Sequence, residues 1–250
     1  MTIASVTLSG LVTTANAQTD PADALRRQLV EGRGVTMSEV FASRESGGRT
    51  SYRKKTQAEF GKAGVTGTDV RDVATPDTPD DPPRFLIFKG RTYCQGWICP
   101  APEGKTWVLL SEDEKTRPFL QVGGIDLADP GTLKAILATT DVKRPGGTYD
   151  NTRTTVYQGT LTFSRLFKTS AAFRAQHDGM SAKTELSWRL WLGEDQLVRR
   201  VRASWPERFG KRLISHVVDA RLTGWGAKTD IAVPSADETA GPDEWRDSRS

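Results

Sequence analysis

Nowhere in this 250-residue chain do about 20 apolar residues run consecutively, so no helix of it is expected to cross a bilayer. Histidine is scarce, with only His177 and His216, and cysteine occurs only as Cys94 and Cys99. Metal sites draw mainly on these residue types and use three or four ligands, so no metal is expected. Motifs that carry chemistry are missing too. There is no G-x-S-x-G, no H-E-x-x-H, and no glycine-rich phosphate loop of the G-x-x-x-x-G-K-S/T or G-x-G-x-x-G kind. Val122-Gly123-Gly124-Ile125 is too short to cradle a phosphate. No cofactor is therefore expected. Blocks of one charge are absent as well. The 35 Lys and Arg residues interleave with 31 Asp and Glu, and the net charge is +4. Without a basic stripe or a known reader motif, nucleic acid is not an expected partner, and the charges read as a mixed, solvated surface.

What is present is a globular composition, 36% hydrophobic and 26% charged. The length fits one large domain or two small ones. A chain this long buries roughly 70–75% of the surface its unfolded form exposes. Cys94 and Cys99 sit in RTYCQGWICP with four residues between them, which excludes the two-residue spacing of a redox C-x-x-C. A disulfide across a local turn fits an oxidising compartment, and two free thiols are the other reading. The N-terminus supports export. Residues 1–19 carry no charge, contain a mildly apolar stretch from Ile3 to Val12, and end near Ala15-Asn16-Ala17, a small-x-small cleavage pattern. No basic residue precedes that stretch. No cysteine follows it directly, so a lipid anchor is not expected at that point.

Patterning places the elements. Asp20-Pro21 and Asp129-Pro130 each combine an N-cap with proline at the first helical position, predicting helices over 21–31 and 129–139. A third helix is predicted over 163–177. Val-, Thr- and aromatic-rich runs flank Ser46-Gly47-Gly48, a hairpin signal. The proline- and aspartate-rich 74–83 reads as loop. Two strands meet at Lys89-Gly90, another covers EGKTWVLLS, and KRPGGTYDN reads as a turn. From Thr152 onward the chain is mostly strand. Leu186, Trp188, Leu190 and Leu192 share one face, as do Leu197, Val201, Ala203 and Trp205. Ile214, His216, Val218, Ala220 and Leu222 do the same. These are half-buried antiparallel strands. Near the end, Gly224 and Gly226 flank Trp225 and predict a turn, with Ile231 and Val233 as a short edge segment stopped by Pro234. Residues 239–250 read as a polar, frayed tail.

Two late stretches carry a resemblance. One is Trp191-Leu192-Gly193-Glu194-Asp195-Gln196-Leu197-Val198-Arg199-Arg200-Val201-Arg202. The other is Leu222-Thr223-Gly224-Trp225-Gly226, followed by Ile231, Pro234 and Ala236-Asp237-Glu238. Together they resemble the closing hairpin and strand of LolA-like proteins, the lipoprotein-carrier and LprG/LppX-type exported lipoprotein group of actinobacteria. DPGTLKAIL and RRQLVEGRGVTMSEV are similar to that group's central helix and its helix-then-strand opening. The resemblance spans Asp20 to about Glu238. Two departures stand out: Gly224 replaces a common acidic residue, and the lipobox cysteine is absent.

The fold expected is α+β, a curved antiparallel half-barrel covered on its concave face by a few short helices, as one domain over 20–238. The resemblance implies an apolar cavity between sheet and helices. Its inward candidates are Leu186, Trp188, Leu190, Val201, Ile214, Val218 and Leu222 from the strands. Leu133, Leu137, Leu166 and Phe167 join them from the helices. Periodicity alone does not separate a cavity from a filled core. The functional expectation is an exported, non-enzymatic protein holding a lipid or other apolar ligand, in contact with the cell envelope. The alternative is a sensor on the same scaffold that binds a membrane-anchored regulatory protein through an exposed apolar patch. A hydrolase would need a nucleophile beside His177 or His216. Arg199, Arg200 and Arg202 either meet acidic lipid head groups or form a solvated sheet face.

Overall fold

The computed structural model describes residues 19–45, 47–75, 80–176 and 181–248. The leader expected over 1–19 lies almost wholly outside them, and so does His177. In chain order the first half holds α1 (Pro21–Arg26), β1 (Arg33–Glu45), β2 (Gly48–Gly61), β3 (Gly64–Asp72), β4 (Arg84–Phe88), β5 (Arg91–Gln95) and β6 (Trp107–Glu112). The middle holds β7 (Gln121–Val122), β8 (Ile125–Asp126), α2 (Pro130–Leu137), β9 (Thr140–Tyr149), β10 (Thr152–Thr162), α3 (Phe163–Thr169) and α4 (Ala171–Gln176). The rest holds β11 (Glu185–Gly193), β12 (Val198–Phe209), β13 (Arg212–Lys228), β14 (Thr239–Ala240) and α5 (Pro242–Asp247).

One twelve-stranded sheet runs in the order β14-β6-β5-β4-β3-β2-β1-β13-β12-β11-β10-β9. Two meanders, β1 to β6 and β9 to β13, therefore meet where β1 pairs antiparallel with β13, from Arg33↔Lys228 to Arg44↔Ser215. The sheet is curved and open. Its concave face carries α1 to α4, as the sequence pattern predicts, while α5 sits at the β6 edge.

Helix starts follow the sequence closely. The Asp20 carboxylate accepts from the Ala22 and Asp23 amides, and Asp129 accepts from Gly131 and Thr132. α1 ends earlier than expected, because its last turn tightens into bonds from Gln28 N to Leu25 O and Leu29 N to Arg26 O. The helix predicted over 163–177 is two helices. Ser170 is extended at φ −115°, ψ 114°, and its hydroxyl accepts from Phe173 N, capping α4. KRPGG does not turn. It continues β9, where Pro145 is tolerated on an edge strand beside a bulge. The turn falls at Asp150-Asn151, both at positive φ.

β7 and β8 form a small separate hairpin under the concave face. Its turn, Gly123-Gly124, has φ +57° and +85°, the two-residue geometry with both central residues left-handed. A methyl on Gly123 would meet Ala203 Cβ at 2.7 Å, and one on Gly124 would meet the Phe173 ring at 2.4 Å. Glycine is required there by both dihedral and space. The stretch that looked too short for a phosphate loop is a plug wedged between the sheet and α4.

The chain end differs from expectation. Gly224 and Gly226 take positive φ, yet β13 continues through them to Lys228. Trp225 stacks on Phe60 with centroids 5.9 Å apart and donates Nε1–H to Val198 O at 2.8 Å. Ile231 is not in a strand. It is buried against Leu86, Tyr93 and Trp107, while Val233 is exposed. Residues 239–248 are not a frayed tail. β14 pairs parallel with β6, and α5 brings Trp245 Nε1 within 3.0 Å of Pro100 O. The final segment thus carries the chain from mid-sheet to its far edge and latches there.

Beneath that latch, Cys94 and Cys99 form a disulfide with Cα atoms 6.2 Å apart, buried with Val108. Closing so short a loop stabilises by about 2 kcal/mol in the chain-entropy picture. Paired Cys94→Ala and Cys99→Ala substitutions should therefore lower the unfolding free energy by about that amount in a urea titration. An unchanged midpoint would show that the β14–β6 latch holds this edge alone.

Candidate functional site

The residues expected to line a cavity are brought together. Leu133 and Leu137 of α2 and Leu166 and Phe167 of α3 face Leu186, Trp188 and Leu190 of β11, Val201 of β12, and Val218 and Leu222 of β13. Ile214 is half-buried toward the end of β13 and is not part of this cluster. The strand residues of the cluster are 0–2% exposed. Trp188 donates Nε1–H to Thr139 Oγ1 at 3.1 Å, so its polar edge is satisfied. Between these layers sit Leu120, Val122, Ile125 and Leu127 of the β7–β8 segment. The sequence list names this closed interior.

The open space lies beside it. A groove of about 720 Å³ runs between the turn after α1, the start of α2, and strands β3 to β5 of the sheet. Its floor is Leu29, Val65, Ile87, Pro118, Phe119 and Pro130. Leu29 and Val65 also pack on the main core, so groove floor and interior form one apolar continuum. Exposed Asp113, Lys115 and Arg117 and half-buried Asp126 and Asp129 also line it. None of the eleven expected residues lines it. The signal missed was the loop 113–119, which the sequence pattern leaves unassigned and the fold lays along the groove.

Asp126 is the groove's perturbed group. Burial pushes its carboxyl up to about 6, a hydrogen bond from Ala128 N opposes this, and the nearby Asp129 charge adds to it. His216 faces inward on β13, stacked on Trp205 at 5.2 Å, with Nε2 2.7 Å from Glu207 Oε2. Its Nδ1 is buried and has no hydrogen-bond partner among the described residues. Both cysteines are consumed in the disulfide. Among the described residues no group of three or more His, Cys, Asp or Glu is placed to hold a metal, and no helix is long and apolar enough to cross a membrane.

The charges are not evenly mixed. Arg199 is buried and paired with Asp195 at 2.6 Å and Asp150 at 3.8 Å. Arg200 and Arg202 point the other way, onto the outer sheet face. There they join Arg44, Arg49, Arg53, Lys55 and Arg221 around a second groove of about 790 Å³.

No protein-family model matches the chain, and no curated protein matches it by sequence. Solved structures do align with it. LprF from Mycobacterium bovis is 16% identical, covering 87% of this chain and 94% of that one at a TM-score of 0.46. A LolA superfamily protein from Nitrosomonas europaea is 11% identical, covering 86% and 92% at 0.30. A DUF1329 family protein from Desulfovibrio piger is 12% identical, covering 87% and 95% at 0.32. The likeness is one of chain trace, and nothing about ligand or partner is taken from it.

Proposed function

We propose that this chain is an exported binding protein that holds a lipid or similar apolar ligand without covalent chemistry. The ligand would lie in the groove between α1, α2 and the concave sheet face. The observation that carries the reading is the groove itself. Its roughly 720 Å³ falls within the size of small-molecule sites, much of its lining is apolar, and its exposed charges are Asp113, Lys115 and Arg117. That arrangement suits an amphiphile with its tail inside and its head group in water. A longer tail would follow the apolar continuum inward, between Leu133, Leu137, Leu166 and Phe167 and the strand residues facing them. The disulfide supports export, since such bonds persist outside the reducing cytosol.

Uptake of a fluorescent fatty-acyl probe tests this. Wild-type protein should bind it, and Phe119→Glu should weaken binding about tenfold or more by placing a charge on the apolar floor. Phe119 is half-buried, so the variant should stay folded by circular dichroism. Equal uptake by a folded Phe119→Glu protein would contradict the placement.

A further inference from the structure

The outer face of the sheet, opposite the helices, holds the second groove. It lies across β2, β1, β13 and β12, and strand pairing alone assembles it. Val40 sits between Arg53 on β2 and Asp219 on β13, and Arg200 sits opposite Arg221. Eight cations and two carboxylates line it, a local charge of +6 against +4 for the whole chain. The remainder of the molecule is therefore net negative, by −2. Asp219 is taken up by Arg200 at 2.5 Å and Arg202 at 3.7 Å. Arg44, Arg49, Arg53 and Lys55 have no ion-pair partner among the described residues, and all four are exposed. Unpaired cations crowded on one face repel each other unless an anionic partner neutralises them.

The floor is apolar, with Val40, Ala42 and Val217 between the charged walls. The outward row of β13 continues from Arg221, Asp219, Val217 and Ser215 to Leu213, at the tip of the β12–β13 hairpin. That tip is unusual for a water-facing turn. Leu213 is 53% exposed and pairs with Arg208 on this face, while Phe209, 64% exposed, pairs with Arg212 and turns to the other side of the same tip. An exposed aromatic and a leucine ringed by basic residues match the interface between lipid head groups and acyl chains. A soluble acidic peptide or nucleic acid would use the cations but leave Phe209 and Leu213 in water.

We propose that this face docks the protein on an anionic phospholipid surface. The cations of β1, β2, β12 and β13 meet the head groups, and the β12–β13 tip dips into the interfacial layer with Leu213 on the docking face and Phe209 on the tip's other side. The docking does not depend on what the concave side holds, so it fails or stands separately from the ligand reading.

The test is co-sedimentation with vesicles of phosphatidylglycerol and phosphatidylcholine, against vesicles of phosphatidylcholine alone. Wild-type protein should bind the anionic vesicles and not the neutral ones, and added salt should release it. Arg53→Glu with Lys55→Glu should lower partitioning by about 30-fold or more. Phe209→Ser with Leu213→Ser should lower it by about tenfold or more. All four positions are exposed, and thermal melts check that the variants fold. If the charge reversal disturbs folding, Arg53→Gln with Lys55→Gln gives the same direction more gently. Equal binding to neutral vesicles, unchanged binding by both folded variants, or binding to heparin or polyglutamate with none to vesicles would each overturn the proposal.

Discussion

Replacing Gly124 by alanine should destabilise the protein by roughly 3–4 kcal/mol. Two costs add. At φ +85° an L side chain is strained by about 1–2 kcal/mol. The new methyl also meets the Phe173 ring at 2.4 Å, and Phe173 has little room to retreat. It is buried, with Phe163 and Phe167 each 5.1 Å from it. Forced overpacking of this kind costs about 1–3 kcal/mol. For a chain of this size the melting temperature should fall by about 6–16 °C. Calorimetry of Gly124→Ala beside Gly47→Ala, where a methyl would meet open space, isolates the effect. Equal melts would mean that the β7–β8 hairpin is not wedged between sheet and helices.

The second large effect is a pH-dependent gain of stability on replacing Asp126 by asparagine. The folded carboxyl titrates near 6, above its ordinary 3.8, because burial disfavours the ionised form. An acid raised on folding leaves stability intact below its unfolded pKa. Stability then falls as pH rises from about 4 through about 6, and the cost stays constant above that. The full shift corresponds to about 3 kcal/mol, and screening at the partly exposed groove reduces it to about 2. Asparagine keeps an oxygen that can accept from Ala128 N without the charge. Asp126→Asn should thus match wild type near pH 4 and exceed it by about 2 kcal/mol near pH 8, read from urea midpoints. Glu39, pushed up to about 7 by burial, acts with the same sign in both proteins and cancels from the difference. A constant difference across the range would place Asp126 in water.

Much of this was legible in the sequence, and the reasons are physical. Period-2 patterning at Leu186, Trp188 and Leu190, and at Val218, Ala220 and Leu222, exposes the buried face of any half-covered strand. Asp20-Pro21 and Asp129-Pro130 act within a few residues, so their helix starts need no tertiary knowledge. What escaped depends on partners far along the chain. Gly123-Gly124 reads as a turn, but only the fold places it against Ala203 and Phe173. Residues 239–248 look polar and loose, but β6 supplies an unpaired edge and Pro100 a carbonyl. Arg53 and Arg200 lie 147 positions apart in sequence and share a groove because β1 and β13 lie between their strands. Interleaved charges along the chain became a segregated face. The open groove escaped for the same reason, since its lining joins the turn after α1, β3, β4 and the 113–119 loop.

The central claim is that the concave side carries an apolar ligand. Native mass spectrometry of protein expressed with export, before and after organic extraction, tests it most directly. The account predicts a mass excess that extraction removes and that returns when the extracted lipid is added back to folded protein. A single unliganded mass carrying the Cys94–Cys99 disulfide, with no adduct before extraction and none on adding lipid, would contradict it.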